Sequence, residues 1–60
     1  METKNYQITI FKGTTGKTVK KFILNNCTEE QLEHFIDKAR EHFTWTTETY
    51  CDAIVQEIKQ

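Results

Sequence analysis

The sequence predicts a small α+β domain of ββαβ order, and three observations carry that expectation. Two stretches of alternating apolar and polar residues flank a glycine-bounded turn. The stretch Thr28 to Phe43, TEEQLEHFIDKAREHF, repeats its apolar residues at the helical period. Residues 50–59 then return to short, β-branched apolar content. Residues 1–60 read as one domain, close to the lower size limit for a chain that folds alone. A hydrophobic content of 37% with seven aromatic residues is too apolar for a disordered chain.

Tyr6-Gln7-Ile8-Thr9-Ile10 alternates with period two and reads as the first strand. Gly13-Thr14-Thr15-Gly16 supplies turn residues, and Val19 to Leu24 reads as the second strand. Two hairpin registers compete. A four-residue loop sets Ile10 against Val19 and Tyr6 against Ile23. A loop one residue longer sets Ile8 against Phe22 and Tyr6 against Leu24. A one-residue slip exchanges the faces of a strand. The second register is preferred, because Phe22 and Leu24 then join Tyr6, Ile8 and Ile10 under the helix. It leaves Phe11, Val19 and Ile23 on the opposite face, more apolar than the wet side of an antiparallel sheet usually is.

Thr28 and Gln31 fit the two ends of a capping box, with Glu29 and Glu30 at the positive end of the helix dipole. Leu32, Phe35, Ile36, Ala39 and Phe43 form one apolar stripe facing the sheet. Lys38, Arg40 and His42 are expected to complement the C-terminal end. Tyr50 to Lys59 can be a strand, with Tyr50, Ile54 and Ile58 on one face and Cys51, Ala53 and Val55 on the other. It can also be a second helix led by Thr46-Thr47-Glu48, giving ββαα. The strand is preferred, and with it a three-stranded sheet of order 2-1-3 whose helix makes a right-handed crossover.

The motifs that resemble chemical sites fail on spacing. Gly16-Lys17-Thr18 looks like the end of a phosphate-binding loop, but Phe11 stands where that loop needs glycine, and a strand follows rather than a helix. Cys27, His34, His42 and Cys51 lack the close pairs that build a tetrahedral zinc site. Cys27 precedes a helix N-terminus but has no partnered base, so no catalytic thiol is expected. Glu33, Asp37 and Glu41 form a solvent-facing acidic row. Asn26-Cys27-Thr28 matches a glycosylation sequon by chance. No catalytic, cofactor-binding or metal-binding residues are assigned, and the protein is expected not to be an enzyme. No signal peptide or apolar run of membrane-spanning length is visible, so a cytoplasmic protein without small-molecule substrate is expected.

Charge is divided unevenly along the chain, although the net charge is only −1. Residues 1–27 hold five lysines against one glutamate, and residues 28–60 hold eight acids against three basic side chains. Two binding modes follow. The first is protein–protein contact, including homodimer formation, through the sheet face around Phe11, Val19 and Ile23. The second is nucleic-acid binding by a basic hairpin of Lys12, Lys17, Lys20 and Lys21 with Phe11 and Phe22 interleaved. The protein-binding mode is preferred, because the whole chain is acidic and the hairpin holds no arginine. In general character (very short, rich in lysine and threonine) the chain resembles accessory proteins of phages and other mobile elements of low-GC bacteria. That resemblance, one of composition, implies a protein that acts by occupying a surface on a host or phage macromolecule.

Overall fold

The computed structural model describes residues 2–59. Its order is β1 (Lys4–Lys12), β2 (Thr18–Cys27), α1 (Glu29–Thr47) and β3 (Cys51–Ile58). The three strands form one sheet in the order β2-β1-β3, with β1 antiparallel to both neighbours. The flanking strands β2 and β3 therefore run parallel to each other, and α1 makes the crossover between them. This is the ββαβ arrangement expected from the sequence; residues 51–58 are a strand, not a second helix.

The hairpin uses both competing registers in turn. Beside the turn, Lys12 N–H donates to Lys17 O at 2.9 Å and Phe11 pairs with Thr18, the pairing of a four-residue loop. One step on, Ile10 pairs with Lys20, Ile8 with Phe22 and Tyr6 with Leu24, the register of the longer loop. Val19 is the extra residue that absorbs the difference, in the manner of a β-bulge. Gly16, at φ 75°, closes the turn in the left-handed region where glycine carries no steric penalty.

A second irregularity lies at the far end of β2, where Asn25 and Asn26 together oppose Asn5, between the pairs Tyr6–Leu24 and Lys4–Cys27. Asn26 takes φ 54°, one of the few non-glycine residue types that tolerates this region, and its N–H donates to Asn5 Oδ1 at 3.0 Å. The added residue reverses the side-chain parity of β2. Continued from Leu24 as a regular strand, β2 would turn Cys27 away from α1; with Asn25 and Asn26 sharing one position, Cys27 is buried in the core and Thr28 is placed to start the helix.

The capping box is present. Gln31 N–H donates to Thr28 Oγ1 at 3.2 Å, and Thr28 N–H donates to Gln31 Oε1 at 3.0 Å. The helix corrects the expected C-terminus, however. It runs one turn beyond Phe43 to Thr47, so Lys38, Arg40 and His42 lie outside the last turn, which holds no basic residue. Threonine hydroxyls bind this end instead. Thr47 Oγ1 donates to Phe43 O at 2.6 Å, and Thr44 Oγ1 accepts from Cys51 N–H at 3.2 Å.

Glu48 ends the helix at φ 55°, a left-handed cap that an L-residue adopts at a cost glycine does not bear. Glu48→Gly is expected to stabilise the fold by roughly 0.5–1 kcal/mol, a rise of a few degrees in Tm for a domain this size. A thermal melt showing no rise would remove the strain assigned to this residue.

The core is one layer thick. Tyr6, Ile8 and Ile10 from β1 meet Cys27, Leu32 and Cys51, with Phe22, Leu24, Phe35, Ile36, Ala39, Phe43 and Ala53 packed around them. Phe22 packs edge-on against Phe35, with ring centroids 5.2 Å apart, a geometry favoured by the ring quadrupoles. No helix among the described residues is long and apolar enough to cross a membrane.

Candidate partner-binding face

The helix covers one side of the sheet and leaves the other open. Parity assigns the open side. Tyr6, Ile8 and Ile10 point to α1, so Asn5, Gln7, Thr9 and Phe11 of β1 point away. Their partners on either side share that face: Ile23, Lys21 and Thr18 from β2, and Ile58, Gln56, Ile54 and Asp52 from β3. Across the sheet this gives the rows Thr18–Phe11–Asp52, Lys21–Thr9–Ile54 and Ile23–Gln7–Gln56. Isoleucines therefore stand on the two outer strands, with a polar middle strand that is apolar only at Phe11. Ile23 is 63% exposed and Ile54 59%.

Of the three residues expected on this face, Phe11 and Ile23 lie there and Val19 does not. Val19 is the bulged residue; it is half-buried and packs against the core. The expectation assumed a regular strand, and the added residue turned Val19 over. Ile54 and Ile58 join the face from β3. Tyr50, expected with them, precedes β3 and is directed toward the helix: its backbone O accepts from Gly13 N–H at 2.8 Å, and its hydroxyl accepts from Arg40 Nη2 at 2.8 Å.

The four hairpin lysines do not share one face. Lys21 pairs with Thr9 on the open side. Lys20 pairs with buried Ile10, and its Nζ sits 5.6 Å from the centre of the Phe22 ring on the helix side. Lys17 lies in the turn, and Lys12 ends β1 half-buried. Cys27 and Cys51 pair with opposite ends of β1, at Lys4 and Lys12, roughly 27 Å apart at the usual rise of a strand. That separation is far beyond what a disulfide or a shared metal ion spans.

One feature escaped sequence reasoning. Trp45 is 78% exposed and Tyr50 55%, and both line a shallow cleft with Asp37, Arg40, Glu41, Thr44 and Cys51. Arg40 is committed within it: besides Tyr50, its Nε lies 3.5 Å from Asp52 Oδ1. The signal was available in the spacing. Trp45 follows Phe43 by two positions, so it falls off the apolar stripe of α1. At the other end of β3, Lys4 Nζ lies 3.2 Å from Glu57 Oε1. The hydrogen bond and the charge of Glu57 hold the Lys4 ammonium pKa above its ordinary value.

No protein-family model matches the chain, and no curated protein or solved structure matches it either. What the fold defines is a class: a one-helix, three-strand α+β domain with an uncovered sheet face.

Proposed function

We propose that this protein is a non-enzymatic binding module that acts by protein–protein contact through the open face of its sheet, with a second copy of itself as the simplest partner. The exposure of Ile23 and Ile54 on that face carries the reading, since an unpaired wet face rarely keeps large aliphatic residues at both edges. A two-fold axis along the strands lays β2 of each copy over β3 of the other, so that Phe11 and the isoleucines of both copies are buried together. Pairing would also supplement a core only one layer thick. Covering a surface is the mode of action that the compositional likeness to phage accessory proteins implies. Nucleic-acid binding through Lys12, Lys17, Lys20 and Lys21 has less behind it, because these side chains are divided between the two faces.

Light scattering across a range of protein and salt concentrations tests the proposal. The expected mass is twice the 7.1 kDa of the chain and insensitive to salt. The double variant Ile23→Ser, Ile54→Ser should be a folded monomer. A wild-type monomer at all concentrations, or a dimer indifferent to the double variant, would overturn it.

A further inference from the structure

We propose that a second surface, the groove between β2 and α1, binds an extended acidic peptide bearing an aromatic or large aliphatic side chain. The groove lies on the opposite side of the sheet from the face discussed above and has a volume of about 380 Å³. Phe22, Phe35, Phe43 and Ala39 form its floor, and Lys20, Lys38 and His42 form its rim. No acidic residue lines it among the described residues. That segregation is notable in a chain with more acids than bases, whose helix carries Glu33, Asp37 and Glu41 as a separate exposed row.

Two observations choose the occupant. The first is charge: an apolar floor with a cationic rim complements carboxylates flanking an apolar anchor. The second is the strand beside the groove. β2 ends the sheet, so its outer backbone N–H and C=O groups have no strand partner among the described residues. An extended peptide can pair with that edge while its alternate side chains enter the groove, the geometry of strand addition. A nucleic acid could use the lysines but not the strand edge. It would also find few open ring faces, because Phe22 packs edge-on against Phe35 and Lys20 lies over the Phe22 ring.

The test is fluorescence anisotropy with a labelled heptapeptide of threonines that carries phenylalanine at its centre and glutamate two positions to either side, so that all three project into the groove when the peptide is extended. Its counterpart carries lysine for glutamate. The acidic peptide should saturate the protein and the basic one should not. The double variant Lys20→Glu, Lys38→Glu, at two exposed positions, should weaken the acidic peptide at least about tenfold. Amide shifts in an NMR titration should concentrate in β2 and α1. The Ile23→Ser, Ile54→Ser variant should bind the peptide as the wild type does, which separates this groove from the open face. Equal binding of the two peptides, the absence of saturable binding, or an unchanged affinity in the charge-reversed variant would overturn the proposal. So would an oligothymidylate that takes the groove in preference to the peptide, or a second copy of the chain that occupies it.

Discussion

A protein carrying Ile8→Ala is expected to lose most of its folded population at room temperature. Ile8 is fully buried at the centre of the middle strand, flanked by Phe22 on β2 and Val55 on β3. Truncating such a side chain removes its transfer free energy and leaves a cavity, together costing about 2–5 kcal/mol. Typical stabilities scale to roughly 3–9 kcal/mol for a 60-residue chain, so the loss is comparable with the whole. The layer cannot easily collapse to refill the space, because β1 is held by hydrogen bonds on both sides. In urea, where a small domain has an m-value near 1 kcal/mol/M, the midpoint should fall by about 2 M or the folded baseline should vanish. The matched control is Ile23→Ala on the open face, where a monomer should change by no more than about 0.5 kcal/mol. If the two variants unfolded together under dimer-free conditions, the core assigned here would be wrong.

Which parts of this structure were legible in the sequence follows from the range of the interactions that create them. The capping box at Thr28 and Gln31 is a contact over three residues, and its two hydrogen bonds form as the local pattern indicates. The stripe from Leu32 to Phe43 and the alternation in β1 are periodic signals, and both point to the core as read. Residues 44–47 were not legible as helix. Threonine is a weak helix former, and Thr44, Thr46 and Thr47 share that turn with one tryptophan. The turn is held by tertiary bonds that no local window contains, above all from Cys51 N–H to Thr44 Oγ1.

The candidate face shows the same division. Phe11 and Ile23 follow from strand parity, and so do Ile54 and Ile58 once the last segment is a strand. Val19 does not, because the sequence was read as choosing between two registers when the hairpin adopts both. β2 is apolar enough on each face to tolerate either, so periodicity gave no warning of the bulge. The lysines are divided for a different reason: Lys20 and Lys21 are consecutive and take opposite faces in any strand register, while Lys17 lies in the turn. Trp45 falls in no element read from the sequence; it sits off the stripe of α1 and is mostly exposed.

Asn26→Val is expected to destabilise the fold well beyond what a surface substitution usually costs, although the residue itself is exposed. Only Thr28 separates β2 from α1, so the parity of β2 at its end fixes where the helix begins. Asn26 carries the left-handed backbone that lets two residues oppose Asn5. Valine is β-branched, so it disfavours that conformation and favours a regular strand. A regular strand through residue 26 rotates Cys27 out of the core or forces the Tyr6–Leu24 pairing to slip, which would carry Phe22 and Leu24 to the open face. The expected cost is about 1–3 kcal/mol, whether the strain is kept or the strand rearranges. Asn26→Gly suits the left-handed conformation, so it should fold with a Tm equal to or above that of the wild type. The pair isolates backbone conformation at one exposed position. Circular dichroism melts of the two proteins decide the matter: a valine variant melting within a degree or two of wild type would show that the helix start is not coupled to strand parity, and the account of why this chain buries Cys27 would have to be abandoned.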